Sequence, residues 1–303
     1  MNVGVIGGSG FIGSHVVDKL IDAGHEVTVF DIMKPHREDV RHIYIDITDL
    51  SKTCVALAGG YDAVYMLAAM ADVNDVYRNP VEAGEVNILA VANALEAAKR
   101  SGIGRLILAS TVWVYEMAKK EKVDEDVALA MSEIRHVYTA TKVAAELYCH
   151  AYQKLYGQNF TILRYGIPYG PRARGATVIA FFVKRALNDE SLPILGDGSQ
   201  YRNFIYVEDL AEGNVAALKE IALNKTYNLE GIRPVTIKEV AETVQRLVGG
   251  VVIEYKEARP GDYNGAIVSS DKAKKELGWE PQVDIEEGIR RYIDWYKKSL
   301  KKT

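Results

Sequence analysis

Met1-Asn2-Val3-Gly4-Val5-Ile6-Gly7-Gly8-Ser9-Gly10-Phe11-Ile12-Gly13 opens the chain, and its reading decides the fold. Asn2 to Ile6 is an apolar run of strand length. Gly7 to Gly13 then forms a glycine turn, Ser14 to Ala23 reads as a helix, and Val27 to Asp31 as a second strand. Glycine allows the φ > 0 conformations that a sharp strand-to-helix turn demands, and Gly7, Gly10 and Gly13 have no Cβ to keep a pyrophosphate from the backbone. The first helical turn, with Phe11 and Ile12, offers unpaired N–H groups and the positive end of the helix dipole to that anion. Asp31 ends the second strand, where a carboxylate can accept hydrogen bonds from both hydroxyls of a ribose. A glycine turn in an ordinary βαβ unit needs none of these to coincide; strand, turn, helix, strand and acid in this order point to a dinucleotide. Asp31 would repel a 2′-phosphate and so favours NAD, while Lys34 and Arg37 stand close enough to serve NADP.

Outward from this unit, the 303 residues are 48% hydrophobic and 26% charged, the composition of an ordinary globular protein. That length fits one large or two coupled domains. A net charge of −4 gives no reason to expect nucleic acid or an anionic membrane as partner. Cys54 and Cys149, each in an expected helix, make no disulfide framework, so a reducing, cytoplasmic setting is expected. The apolar start lacks the basic flank of a signal peptide and is broken by glycines, and no run approaches a membrane span. No metal-ligand cluster is read from the sequence.

Further along, His42 to Ile47 alternates as a strand, Asp62 to Ala69 reads as another, Asp72 to Asn79 as a loop, and Pro80 to Arg100 as a long helix carrying Asn87. Apolar Val86, Leu89, Ala90 and Ala97 cover more than one face of that helix, enough to pack on a sheet and on a second subunit. Arg105 to Thr111 is unbroken and apolar, as a central parallel strand should be, and ends in Ser110-Thr111. Lys119 to Ser132 is a charged lip. His136 to Tyr156 reads as a helix, with Tyr138 and Lys142 one turn apart on one face. A tyrosine with a pKa near 10 must be lowered by about 3 pH units, roughly 4 kcal/mol, to act as a base at neutral pH. A cation about 4 Å away, at an effective dielectric of about 20, supplies on the order of 4 kcal/mol, so Lys142, helped by a positive nicotinamide ring, is expected to hold Tyr138 ionised. Phe160 to Tyr165 is a further strand, Thr177 to Asn188 a helix, Tyr227 to Leu229 a strand and Thr236 to Val248 a helix capped by Thr236. Two amphipathic helices, over Lys272 to Gly278 and Ile285 to Lys298, follow.

The spacing Gly7, Gly10, Gly13 resembles that of the short-chain dehydrogenase/reductase superfamily. Together with Tyr138-x-x-x-Lys142, Arg164-Tyr165-Gly166-Ile167-Pro168-Tyr169-Gly170-Pro171-Arg172 and Gly196-Asp197-Gly198-Ser199-Gln200-Tyr201-Arg202-Asn203-Phe204-Ile205-Tyr206-Val207-Glu208-Asp209, it makes nearly the whole chain similar to the extended branch, within its NAD-dependent nucleotide-sugar epimerase/dehydratase group. The resemblance implies an α/β fold: a Rossmann-type doubly wound parallel sheet with a smaller C-terminal α/β region. It implies an NAD-binding domain over 1–165, with 204–230 returning to it, and a nucleotide-sugar-binding region mainly over 166–303. It makes Thr111, Tyr138 and Lys142 the catalytic triad. Cofactor contacts would come from Gly7, Gly10, Phe11, Ile12, Gly13, Asp31, Leu67, Ala68, Ala69, Asn87, Ser110, Tyr138, Lys142 and Tyr165. Asp46 and Ile47 match the family's adenine-contacting pair; the other reading of Asp46 is a cap on the helix that follows. Arg202 and Arg259 match the two arginines that hold the substrate diphosphate, and Thr111 and Tyr138 would also touch substrate; a surface arginine in a strand is the other reading of Arg202.

The implied activity is a 4-epimerase of a UDP-sugar, the UDP-glucose/UDP-galactose pair foremost, with a keto-sugar reductase as alternative and a dinucleotide sensor without catalysis as a third. The family's dehydratases place an Asp-Glu pair just after the triad Thr and its decarboxylases a Glu; Val112-Trp113 stand here. Ile167 replaces a substrate-contacting Asn and Met66 the usual His. A homodimer through the Pro80–Arg100 and His136–Tyr156 helices is also implied.

Overall fold

The computed structural model describes residues 1–175, 177–257 and 266–300. Strand β1 (Asn2–Ile6) turns into helix α1 (Phe11–Asp22), followed by β2 (Glu26–Asp31), β3 (Arg41–Tyr44), α2 (Leu50–Leu57) and β4 (Ala63–Met66). Next come α3 (Val73–Arg78), α4 (Pro80–Gly84), a π-helical segment over Glu85–Leu89 and α5 (Ala90–Arg100). Strand β5 (Arg105–Thr111), a 3-10 stretch over Val112–Met117, β6 (Lys122–Val123), α6 (Val137–Tyr156) and β7 (Phe160–Tyr165) complete the first part. The second part runs β8 (Ile167–Tyr169), α7 (Val178–Leu187), β9 (Leu192–Leu195), β10 (Tyr201–Arg202), β11 (Phe204–Tyr206), α8 (Val207–Ala216), β12 (Lys225–Leu229), β13 (Val235–Thr236), α9 (Ile237–Val248), β14 (Ile253–Lys256), β15 (Ile267–Val268) and α10 (Ile285–Leu300).

Seven of the described strands form one parallel sheet in the order β12-β7-β5-β4-β1-β2-β3. This is the doubly wound α/β arrangement expected. Strand order reverses between β1 and β4, which opens a crevice at their carboxyl ends, the usual seat of a ligand in such sheets. β5 is buried at all seven positions and β7 at all six, as strands covered on both faces must be. One apolar core lies under α1 and α8, built on Val5, Val16, Leu20, Ile107, Leu163 and Leu229. A second lies under α2, α5 and α6, built on Ile6, Val64, Leu95, Leu106, Cys149 and Ile162. Chain that has left the sheet after β7 comes back to it as β12, which pairs with β7 from Lys225↔Thr161 to Leu229↔Tyr165. A third core, around Phe182, Ile194, Tyr206, Val240, Ile289 and Tyr292, belongs to the smaller C-terminal region.

Several boundaries differ from the sequence reading, each for a local reason. Asp72 to Asn79 is not a loop but contains α3, because the Asp72 carboxylate caps it, accepting from Asn74 N–H at 2.8 Å and Asp75 N–H at 3.3 Å. The expected strand over His42–Ile47 ends at Tyr44, since Asp46 accepts from the backbone and hydroxyl of Thr48 and turns the chain. The expected strand over Asp62–Ala69 is shorter, Ala63–Met66: Leu67 and Ala68 both donate to the Ile6 carbonyl, folding the chain over the end of β1. Thr236 caps α9, accepting from Glu239 N–H at 3.0 Å.

Candidate active site

Gly7 has φ +83°, and a Cβ there would fall 2.4 Å from Ala68 N; a Cβ on Gly13 would fall 2.0 Å from the Gly7 carbonyl oxygen. Only glycine lets the turn close against both the head of α1 and the Ala68-Ala69 segment leaving β4. The N-terminus of α1 has no side-chain cap, and Gly10 occupies the cap position, so its leading N–H groups face the crevice unclaimed by a side chain. Asp31 stands at the lip of this cradle: Oδ2 accepts from Ser9 N–H and Oδ1 from Met33 N–H, each at 2.9 Å. Each oxygen keeps a further lone pair for a ribose hydroxyl. Arg37, by contrast, is held by Asp39 at 2.6 Å and by Asp18 at 3.4 Å, which leaves it poorly placed to serve a 2′-phosphate. The donor set thus fits an NAD molecule, with Gly7 to Gly13 on its pyrophosphate and Asp31 on its adenosine ribose.

Two strands away, β5 delivers Thr111 and α6 delivers Tyr138 and Lys142. Thr111 Oγ1 accepts from Trp113 N–H at 3.2 Å, which starts the 3-10 stretch and leaves the hydroxyl hydrogen for the Tyr138 phenol. Lys142 Nζ donates to the Ala109 carbonyl at 3.0 Å and lies 5.9 Å from the centre of the Tyr138 ring. The ionised phenol is expected with the nicotinamide ring in place; the chain by itself starts from a different charge state. Burial pushes the Tyr138 phenol up to about 12, and the hydrogen bond with Thr111 only partly opposes that rise. Burial likewise lowers the Lys142 ammonium to about 8, opposed by the Glu146 carboxylate. Taking both groups out of water outweighs their attraction, so the chain alone holds Tyr138 as a neutral phenol.

Three of the expected cofactor contacts have side chains committed elsewhere. Asn87, in the π-helical segment, accepts from Met70 N–H at 2.8 Å and donates to the Met70 carbonyl and to Thr141 Oγ1, both at 3.0 Å. It ties the exit of β4 to α6 beside Tyr138. Ser110 donates to Glu146 Oε1 at 2.5 Å, and Tyr165 donates to Asn214 Oδ1 on α8 at 2.5 Å. A cofactor contact at these three positions would come from the backbone. Asp46 keeps one carboxylate oxygen on Thr48, and Ile47 is buried beside it in the core under α2. Arg202, half-buried on β10, donates to the Tyr201 carbonyl at 2.8 Å. Arg259 lies outside the described residues.

The wall next to Tyr138 was not legible beforehand. The Trp113 ring meets the Tyr138 ring edge-on at 6.4 Å between centres and the His136 ring at 5.4 Å. Behind it, Glu116 accepts from Arg135 N–H at 3.2 Å and lies 3.7 Å from His136 Nε2, with its side chain 3% exposed. Glu146, four residues beyond Lys142, was also missed, although the spacing Tyr138, Lys142, Glu146 puts all three on one helix face.

The NAD dependent epimerase/dehydratase family model matches residues 3–229. The chain is 32% identical over 314 residues to the UDP-glucuronate 4-epimerase of Thermodesulfobacterium geofontis, covering 98% of this chain and 96% of that one. It is 34% identical over 305 residues to the UDP-glucuronic acid decarboxylase 1 of Xenopus tropicalis, covering 98% of this chain and 72% of that one. The crystal structure of UDP-glucose 4-epimerase from Thermotoga maritima with UDP-glucose superposes with a TM-score of 0.90 at 32% identity, covering 99% of this chain and all of that one.

Proposed function

Because the chain belongs to the NAD dependent epimerase/dehydratase family, we propose that it is a UDP-sugar 4-epimerase, acting foremost on the UDP-glucose/UDP-galactose pair. The observation that carries the reading is the residue against the triad phenol: Trp113 meets Tyr138 edge-on where the family's dehydratases and decarboxylases place a carboxylate, and the nearby Glu116 is 3% exposed and held by Arg135 N–H. Dehydration and decarboxylation each need a group to move a proton at a second carbon, and an indole cannot do so. A site with one proton-moving phenol fits chemistry confined to one carbon.

NAD+ supplies the hydride acceptor and a positive ring. Tyr138 takes the proton of the C4 hydroxyl and later returns it, and Thr111 holds that oxygen by a hydrogen bond. Lys142 adds positive charge next to the phenol, and the positive ring of bound NAD+ would add to it against the rise that burial causes in the chain alone. Arg202 and Arg259 are proposed to grip the diphosphate, their forked guanidinium groups suited to paired phosphate oxygens, while the sugar turns over. Exposed Leu89, Leu147, Tyr148 and Leu155 on the π-helical segment and α6 support a homodimer through these helices.

Incubation with UDP-glucose, UDP-galactose, UDP-glucuronate and their N-acetylated relatives, followed by NMR, tests the reading. Inversion at C4 with no net change in NAD is the expected result. Release of carbon dioxide, or stoichiometric consumption of reduced cofactor with a keto-sugar, would overturn it.

A further inference from the structure

Lys142 and Glu146 are held against adjacent residues of one strand. Lys142 Nζ bonds the Ala109 carbonyl at 3.0 Å, and the next residue of β5, Ser110, bonds Glu146 Oε1 at 2.5 Å. One helical turn separates the two side chains on α6, so ammonium and carboxylate face the same strand without bonding each other directly, and the carboxylate acts on the ammonium through its field. Arg164 on β7 closes on the carboxylate from the other side, with Nε 3.0 Å from Oε1 and Nη2 2.7 Å from Oε2. Its third nitrogen, Nη1, donates to the Tyr115 hydroxyl at 3.0 Å, which in turn donates to Asn228 Oδ1 at 2.7 Å. Lys142, Glu146 and Arg164 are all buried.

This volume therefore holds two cations and one anion away from water. A guanidinium does not give up its proton in a protein, whereas a buried ammonium does so readily. We propose that Glu146 is a positioning residue for catalysis: its carboxylate is the counter-charge that keeps Lys142 an ammonium, and Arg164 with Ser110 holds it in place. The other groups around the lysine supply no substitute. On α6 these are Tyr138, Cys149, whose thiol burial keeps neutral, and His150 beyond Glu146, whose pKa burial lowers and which carries no negative charge; the 3-10 stretch brings Tyr115 and β7 brings Arg164. From β5 come the uncharged Ala109, Ser110 and Thr111, and Asn87 of the π-helical segment meets α6 at Thr141. Glu125 is a step further out, engaged by Asn228 N–H at 2.7 Å.

The inference rests on reading Tyr138 and Lys142 as the acid–base pair, and two measurements keep its fate separate from that reading. The first is the titration of the Lys142 amine by NMR in protein labelled at lysine nitrogen, assigned with Lys142→Met. The second is the pH profile of kcat. In Glu146→Gln the lysine titration and the alkaline limb of the profile move to lower pH by about one unit or more. At pH 8 kcat falls about tenfold, with little change in the sugar-nucleotide KM. Glu146→Asp recovers part of both. Should Glu146→Gln fail to fold, Glu146→Gln/Arg164→Met removes both buried charges together, a change such pairs tolerate, and carries the same expectation. A folded variant whose lysine titration and limb stay in place, even with lower kcat, overturns the proposal. If no nucleotide sugar is epimerised at all, the proposed activity fails while the lysine titration still decides the counter-charge.

Discussion

Glu146 and Glu230 are both buried carboxyl groups, at 6% and 2% exposure, beside the neighbouring strands β7 and β12, and they are handled in opposite ways. Glu146 receives Ser110 and two nitrogens of Arg164. Glu230, which follows β12, has no hydrogen-bond partner among the described residues on either carboxyl oxygen. It packs where β7 leaves the sheet: a Cβ on Gly166 would lie 2.6 Å from Glu230 Oε2, so the missing side chain at Gly166 makes the room. With no donor to favour the anion, burial pushes the Glu230 carboxyl well above the usual range and favours its neutral form. The donors around a buried acid, more than its depth, decide whether it carries charge, and of these two it is Glu146, in the catalytic corner, that is supplied with them.

The comparison is broken hardest at the chemical end of that corner. Tyr138→Phe removes the phenol that moves the proton, and kcat is expected to fall by about 10²–10⁴-fold, measured by NMR on the best sugar nucleotide. Arg164→Met strips Glu146 of its forked partner and leaves a buried anion with Ser110 as its remaining hydrogen-bond partner among the described residues and Lys142 as the nearby cation. A loss of about 3–5 kcal/mol follows, seen as a melting temperature lower by on the order of 10 °C. The same kind of experiment at the other carboxyl must have the opposite sign. Glu230→Gln keeps the shape and removes the group that the unfolded chain would ionise, so at pH 7 it is expected to stabilise by about 1–3 kcal/mol. The folded pKa of Glu230 is raised, so wild type is penalised only above the ordinary glutamate value. The advantage of Glu230→Gln must fade as pH falls through about 4.3, in melting curves taken across that range. A variant less stable than wild type at pH 7 would mean that Glu230 has a partner after all.

What the sequence made legible is what short spacing specifies. The glycine turn, Asp31 and the Tyr138–Lys142 pair are each set by residues a few positions apart, and the fold brings them to the places expected. The turn at Asp46 and the helix capped by Asp72 are local too, and were missed because an Asp side chain bonding its own backbone leaves no hydrophobic period to read. Glu146 could have been found from its place on the α6 face, but its meaning depends on Arg164, which only the pairing of β5 with β7 brings beside it. Trp113 was legible as a replacement, not as a ring that meets Tyr138 edge-on and His136 at a tilt. Glu230 could not be read at all: its burial follows from β12 returning to the sheet and from Gly166, more than sixty positions earlier in the chain, giving way.

A third buried titratable group extends the comparison to a smaller effect. His15 on α1 has Nε2 at 2.9 Å from the Pro171 carbonyl and Nδ1 at 3.0 Å from Arg172 Nη2. The carbonyl can only accept and the guanidinium can only donate, so Nε2 carries the hydrogen and Nδ1 must stay bare. Arg172, at φ +66°, is itself paired with Asp18 at 2.6 Å, so this clasp fastens the chain leaving β8 to the helix behind the glycine turn. Protonating Nδ1 would break it and set two cations together. Burial, then Arg172, accordingly lowers the imidazole to about 4. Between pH 6.5 and about 4 the unfolded chain takes up a proton that the folded chain refuses, so this stability is complete above pH 6.5 and is lost as pH falls. At pH 5.5 the loss is about 1 kcal/mol. His15→Gln can still donate to Pro171 and accept from Arg172 without titrating. Its melting temperature relative to wild type should therefore rise by about 2–4 °C on going from pH 7.5 to 5.5, and a difference that stays flat with pH would show that the clasp does not depend on a neutral imidazole.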